Sequence, residues 1–520
     1  MTSTSPSTIS VPNQSLPAYL FRNLDQLQDR PALIDGVTGK TLTFKALYEE
    51  AQSLAAGLID FGVSRGETAA IVCANSIEFV VFYLATTWIG AVLSPMSPLL
   101  SNSEIRAQIL ASNASYLMTD EQSIEKGLAA MEGTGIANLL STRPGNKILT
   151  LQSLTTSKPF SPPHLDPHSD LAVLPFSSGT TGLPKGVQLT HTNLVTNLVQ
   201  LSAVEPVSME DTFIGLLPFS HIYGLTVVLN LGLANGAAVV LLPSFKKDLL
   251  LKSMQTYGVT RAHFVPPIIR ILAQSEDLVD YDLSSLQVIV SGAAPLDVST
   301  ARQCAQKLNC VVKQGYGLTE SSPVTHISPD PPPPVKIGSV GPVLPGTECR
   351  IIDPQNGGIL PPGQSGEILV RGPQVMQGYL NENEATQATL TSDGWLHTGD
   401  IGYQDEDGYL FILDRIKEMI KVKGYQVAPA EIEAVLMSHQ AILDAAVIPS
   451  PDADAGEVPK AFVVSSIILT PESVMEHVAA QLGPIKHVKK VAFIEKIPRS
   501  SSGKILRRVL IEQERAASNE

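Results

Sequence analysis

Ten consecutive residues, Ser177-Ser178-Gly179-Thr180-Thr181-Gly182-Leu183-Pro184-Lys185-Gly186, hold four hydroxyls, three glycines and one lysine, directly after the apolar run Leu171-Ala172-Val173-Leu174. Glycines let a backbone turn sharply and bring its N–H groups close to a ligand. Hydroxyls and a lysine add donors and a point charge, a set suited to a polyphosphate. The segment therefore reads as a strand leading into a phosphate-holding loop. It is not a Walker A loop, which needs Gly-Lys-Ser/Thr, whereas Lys185 lies between Pro184 and Gly186. A flexible Ser/Gly linker is the bland alternative. The lysine, the proline and the preceding strand pattern count against it.

Four further segments follow in order: Tyr316-Gly317-Leu318-Thr319-Glu320, Gly394-Trp395-Leu396-His397-Thr398-Gly399-Asp400, Asp414-Arg415-Ile416-Lys417 through Gln426, and Ser502-Gly503-Lys504. Together with the first loop they resemble the adenylate-forming superfamily of acyl- and aryl-CoA ligases, peptide-synthetase adenylation domains and beetle luciferases. The resemblance spans nearly the whole chain and is strongest to the 4-coumarate–CoA ligases. It implies that a carboxylate attacks the α-phosphate of ATP to form an acyl-adenylate, which CoA then opens. Such a protein must stabilise charge on phosphate oxygens and keep water from a reactive anhydride.

The same resemblance implies roles for individual residues. Ser177, Ser178, Gly179, Thr180, Thr181 and Lys185 cradle the β- and γ-phosphates. Gln314, Gly315, Tyr316 and Thr319 meet the nucleotide, with Tyr316 on the adenine and Thr319 at the α-phosphate, while Glu320 ligates Mg2+. Asp400 and Arg415 hold the ribose hydroxyls. Lys504 bridges the carboxylate and α-phosphate and drives adenylation. Lys421 and Gln426 serve the thioester-forming state, with Lys423 and Gly424 near CoA and Lys417 as the hinge. Taken singly, Gly-Tyr-Gly is a common turn, a lone Glu or Lys is usually solvated, and Asp400 could be a cap. Lys504 could belong to a disordered basic tail. Lys421 and Lys423 point to one face if their segment is extended, and a structural edge strand is the alternative there. Ser501 and Lys504 also form a Ser-x-x-Lys pattern, rejected because no Lys-Thr-Gly follows.

Pro218-Phe219-Ser220-His221-Ile222-Tyr223-Gly224 resembles the acid-pocket entry of the 4-coumarate–CoA ligases. By that likeness His221, Tyr223, Ala293, Gly315, Pro323 and Val324 line the acyl slot, with His221 also counted among the catalytic residues. Tyr223 could bond a para-hydroxyl or simply pack in the core. Three positions depart from the plant pattern: Val227 replaces a serine, Thr325 a leucine, and Ser244 a basic residue near the CoA nucleotide, for which Lys246 and Lys247 could compensate.

These residues need a scaffold. A chain of 520 residues exceeds one core. Residues 30–345 alternate strand-like runs, such as Ala69–Val72, Ala238–Leu242 and Val288–Val290, with longer helical stretches, which implies α/β layering. Pro-rich breaks fall at 158–167 and 329–334. Residues 336–413 are turn-rich with short apolar runs and predict a small β-barrel-like subdomain; Pro429 to His439 predicts a helix. The expected fold is therefore multidomain α/β. An N-terminal AMP-binding domain of two α/β subdomains plus the β subdomain covers 1–413. A hinge at 414–417 and a mobile α+β domain at 418–520 follow.

Net charge is −14, which argues against general nucleic-acid binding. Residues 414–520 carry 14 Lys and Arg against 14 Asp and Glu, so the whole excess lies earlier and the C-terminal part must supply cations to polyanionic ATP and CoA. Phe79 to Leu93 is too short to cross a bilayer comfortably and predicts a buried helix running into a strand. No signal-peptide pattern, no Ser-Lys-Leu ending and no framework for Cys73, Cys304, Cys310 and Cys349 point to a cytoplasmic protein.

The expected function is ATP-dependent acid–CoA ligation on 4-coumarate or related hydroxycinnamates, with Mg2+ as cofactor and the acid, ATP and CoA as partners. A medium-chain fatty acid–CoA ligase, a luciferase-like monooxygenase, a carrier-protein loader and an inactive scaffold are the alternatives.

Overall fold

The computed structural model describes residues 9–177, 184–330, 335–423, 425–452, 454–500 and 503–518, with side chains through 514. Among them the apolar runs become inner strands of two mixed sheets. In the first, Pro31–Asp35, Ala238–Leu241, Thr212–Gly215, Arg261–Phe264, Val288–Ser291 and Val311–Gly317 run parallel in that spatial order. Antiparallel Thr41–Thr43 and Val324–Ile327 close its two edges. The second has nine strands around Thr68–Val72 and Val92–Met96. Parallel strands need cover on both faces, which explains why their sequences are near-continuous apolar runs.

The helix linking those two central strands shows how local signals set the elements. Ser76 accepts the Phe79 N–H at its start, Gly90 ends it at φ 79°, and every residue of Ile77–Ile89 except Glu78 is buried. The strand at Val92–Met96 follows, so the segment is the buried helix and strand that its composition predicts. No helix among the described residues is long and apolar enough to cross a membrane.

Glu348–Ile352, Gly366–Arg371, Leu396–Gln404 and Leu410–Arg415 form a four-stranded antiparallel sheet. Among the described residues it is an open sheet, which corrects the barrel-like expectation: its outer strands Glu348–Ile352 and Leu410–Arg415 do not pair with each other, and four strands fall short of closure. Beyond it lies a five-stranded sheet ordered Tyr425–Val427, Ile420–Val422, Gly456–Ser465, Ile442–Asp452, with Lys490–Phe493 beside Gly456–Ser465. The predicted helix near 429 spans Pro429–Met437, with proline in its first turn. Asp414 Oδ2 accepts the N–H of Ala430 there at 2.8 Å.

One apolar core runs from Leu16 to Leu410. A separate one gathers Ile420, Val447, Val463 and Val478 under the five-stranded sheet. The expected extended run through Lys421 and Lys423 does not form: the strand ends at Val422, and Lys423 turns at φ 50° into a hairpin. Lys421 instead faces Gln426 across that hairpin.

Candidate active site

Strand Val311–Gly317 ends where the parallel sheet meets the four-stranded sheet, and its last residues build the centre of a cleft. Gly317 is obligatory there, because a Cβ would stand 1.9 Å from the Pro323 carbonyl oxygen. The Tyr316 hydroxyl donates to Asp400 Oδ2 at 2.6 Å. Asp400 lies opposite Arg415 on neighbouring antiparallel strands, and Arg415 Nε is 3.2 Å from Asp400 Oδ1. Burial pushes the Asp400 carboxyl up, with Arg415 and the Tyr316 bond opposing it. Burial and the Asp400 charge push the Tyr316 phenol far up, so it stays a neutral donor.

Glu320 sits in the short helical turn Thr319–Ser321 and accepts from the Tyr379 hydroxyl at 2.9 Å. The Tyr379 ring has Lys185 Nζ 5.7 Å from its centroid. Glu320, Tyr379 and Lys185 thus lie in one chain of contacts. Ser177 presents a buried hydroxyl without a partner among the described residues. Ser178, Gly179, Thr180 and Thr181, and Gly424 of the expected CoA set, lie outside the described residues.

Lys504 reaches this cleft from the end of the chain. The described residues around it are hydrogen-bonded to the domain. Arg499 binds Asp444 Oδ1 at 2.8 Å and the Gly503 carbonyl at 2.8 Å, and Ser500 Oγ accepts the Lys504 N–H at 3.1 Å. Burial and the nearby Arg415 lower the Lys504 ammonium pKa, while Asp400, Glu320 and Glu418 oppose that shift. The ammonium is therefore set among the acidic and basic groups of the cleft. It also acts on His221, whose pKa falls to about 4 through burial first and then Lys504. His221 Nδ1 accepts the Tyr223 N–H at 3.2 Å, so the neutral ring carries its proton on Nε2.

The acyl positions converge nearby. Tyr223 begins an eight-residue π-helix, a form frequent at functional sites, and Val227 is buried within it. Its hydroxyl donates to the Val290 carbonyl at 3.3 Å, a bond to the scaffold. A Cβ on Gly292 would come within 2.7–2.9 Å of the Tyr223 ring. Next to it Ala293 holds φ 70°, a conformation rare for a residue with a side chain. Val324 is clamped by Asn197, which accepts its N–H at 3.1 Å and donates to its carbonyl at 2.8 Å. Pro323 is buried and Gly315 partly exposed. Thr325, buried, donates to the Tyr316 carbonyl at 3.3 Å.

Other expected residues stand elsewhere or differently engaged. Gln314 is buried and accepts the Leu296 N–H at 3.0 Å, so its amide oxygen braces the loop after Val288–Ser291. Lys421, Lys423 and Gln426 are exposed on the hairpin, apart from Lys504. Tyr379, Asn197 and Glu418 went unread in the sequence. Asn197 left no distinct signal, because its helix also holds Asn193, Thr196 and Gln200; Tyr379 and Glu418 sit at an ordinary strand end and turn.

The profile of the AMP-binding enzyme family matches residues 20–380, and that of the AMP-binding enzyme C-terminal domain matches 431–504. The chain is 41% identical over 517 residues to a 4-coumarate–CoA ligase of Humulus lupulus, covering 96% of this chain and 94% of that protein. It is 41% identical to 4-coumarate–CoA ligase 5 of Oryza sativa, covering 96% and 95%. ATP-bound MatB from Rhodopseudomonas palustris superimposes with a TM-score of 0.88 at 30% identity, covering 96% of this chain and 99% of that one.

Proposed function

Since this chain belongs to the AMP-binding enzyme family, we propose that it is an ATP-dependent acid–CoA ligase acting on hydroxycinnamates. In the first step a carboxylate oxygen attacks the α-phosphorus, the bond to the β-phosphate breaks, and acyl-AMP and pyrophosphate form. In the second the CoA thiol attacks the acyl carbon and AMP leaves, giving the thioester. The observation that carries this reading is the 41% identity to 4-coumarate–CoA ligases over 96% of the chain, and the Tyr316–Asp400–Arg415 cluster supports it.

In this reading Asp400 and Arg415 take the ribose, Tyr316 takes the adenine, and Thr319 and Lys504 face the α-phosphate. His221 donates from Nε2 to the acid's carboxylate, orienting it for attack; it is no base at neutral pH, because its pKa is about 4. Preorganised donors of this kind, aimed at developing charge, supply much of the rate of such reactions. Mg2+ fits as an ion held by Glu320 and the triphosphate. No group of three or more His, Cys, Asp or Glu among the described residues could hold a metal alone. Mg2+ keeps waters and phosphate oxygens around one or two carboxylates; when bound it neutralises phosphate charge.

The second step uses the exposed Lys421–Gln426 pair, with Lys423 and Gly424 meeting CoA. The domain at 418–520 rotates about 414–417, with Lys417 in the hinge, so that the hairpin replaces Lys504 at the cleft. Separate apolar cores on the two sides of the hinge support that division. The reading includes a cytoplasmic setting, supported by four free thiols.

The test is mass spectrometry of the purified protein with Mg-ATP and 4-coumarate, caffeate, benzoate, hexanoate or laurate, with and without CoA. Acyl-CoA plus AMP, strongest with a hydroxycinnamate, is expected. Acyl-AMP that persists unchanged when CoA is added would overturn the ligase.

A further inference from the structure

Strands Arg261–Phe264, Val288–Ser291 and Val311–Gly317 run in register, with His263 beside Val290 and Val290 beside Lys313. Side chains in register on parallel strands share a face, as do residues two apart. One face of the sheet therefore presents Gly315 nearest the cleft, then Lys313 level with His263, then Arg261. Tyr223 packs on that face, its ring centroid 6.0 Å from that of His263 and its hydroxyl on the Val290 carbonyl. Continuing inward past Tyr223, His263 comes next, and the charged Lys313 and Arg261 follow on the same face.

Those charges form a closed lattice. Lys313 Nζ contacts Glu205 and lies 2.5 Å from Asp330 Oδ1. Arg261 Nη1 is 3.0 Å from Glu205 Oε2, and its Nη2 is 2.7 Å from Asp330 Oδ2. Asp211 Oδ1 is 3.6 Å from Arg261 Nε and accepts the Thr260 hydroxyl at 2.7 Å. Glu205, Arg261 and Lys313 are 2%, 4% and 1% exposed. A cavity of about 420 Å³ meets Arg261, Asp211 and Asp330 beside Val288 and Val311, at the strand starts and so opposite the cleft. An alkyl tail entering from the cleft would have to separate buried ion pairs and leave their remnants buried and unpaired, which is strongly unfavourable.

We propose that this buried Glu205–Arg261–Lys313–Asp330 lattice is the floor of the acyl slot and limits the enzyme to acids whose tails end at Tyr223. The proposal rests on the ligase reading above. It selects compact aryl acids and short chains and refuses long alkyl chains, a distinction the apolar walls at Val324 and Ala293 do not make.

The experiment measures kcat/KM for 4-coumarate, hexanoate, dodecanoate and hexadecanoate. It uses the wild type and two double variants, Glu205→Gln with Lys313→Met and Arg261→Met with Asp330→Asn. Each double variant removes one cation with one anion, and its thermal unfolding is recorded. Wild-type kcat/KM should fall by about tenfold or more from hexanoate to dodecanoate, and a folded double variant should raise the dodecanoate-to-coumarate ratio by about tenfold. A wild-type profile that stays flat with chain length overturns the floor, and so does a folded variant with an unchanged ratio. If both variants fail to fold, the wild-type profile still decides. Failure of every acid to yield acyl-CoA would instead overturn the ligase reading, and the floor with it.

Discussion

The Tyr316 hydroxyl and the Asp400 carboxylate, 84 residues apart in the chain, meet at 2.6 Å and tie the large parallel sheet to the four-stranded sheet. Arg415 holds the other carboxylate oxygen at 3.2 Å. A hydrogen bond to a buried charge contributes about 1.5–3 kcal/mol. Tyr316→Phe should therefore raise the KM for ATP by about tenfold or more, with a smaller effect on the acid. Initial rates with each substrate varied in turn check this; an unchanged KM for ATP would separate the bond from nucleotide binding.

Lys504 stands in the cleft while Lys421 stands on the exposed hairpin. Lys504→Ala should abolish acyl-AMP formation, a loss of at least about a hundredfold, and leave thioesterification of supplied acyl-AMP largely intact. Lys421→Ala should do the reverse. Pyrophosphate release and conversion of synthetic acyl-AMP report the two steps separately. Equal loss of both in each variant would sink the division of labour.

The Tyr223 ring leaves no room at Gly292, where a Cβ would lie 2.7–2.9 Å away. Gly292→Ala should push the ring into the acyl slot. Overpacking of this size costs about 1–3 kcal/mol, so kcat/KM for 4-coumarate should drop by about tenfold while the KM for ATP holds. A matching rise in both KM values would point to a general loss of fold.

Burial holds His191 at a pKa of about 4 and His263 and His326 at about 3. An unfolded histidine takes its proton near pH 6.5. Below that value the unfolded chain binds more protons than the native one, so stability falls with falling pH. The slope approaches about 1.4 kcal/mol per pH unit for each buried histidine. Urea unfolding at pH 7 and 5.5 should show a clear loss at the lower value, and His326→Gln should flatten it. A midpoint constant across that range would contradict neutral burial.

Much was legible before folding. The hydroxyl- and glycine-rich run, the Gly-Tyr-Gly run, Asp400, Arg415 and Lys504 stand in ordered motifs whose residue types resemble those of one enzyme family. The apolar runs at 69–72, 238–242 and 288–290 named the parallel strands because strands covered on both faces leave no polar alternation. The helix at 77–89 was written in its caps as well as its hydrophobicity.

The rest arose from pairings no local rule contains. Lys313 and Arg261 carry no local signal of burial, yet they meet Glu205 and Asp330 inside the protein, across 108 and 69 residues of chain. Tyr379 and Glu320 meet in the same way, and so do Asn197 and Val324. Lys421 and Lys423 were placed on one face by strand periodicity, but a hairpin turn at Lys423 set Lys421 against Gln426 instead. By itself the sequence indicated the chemistry, because residue type and spacing are local and five ordered motifs resemble those of one enzyme family. Only the tertiary structure decided that Lys421 stands exposed on a hairpin and that Glu205, Arg261, Lys313 and Asp330 meet in one cluster, because both depend on which distant elements pack together and which charges that packing removes from water.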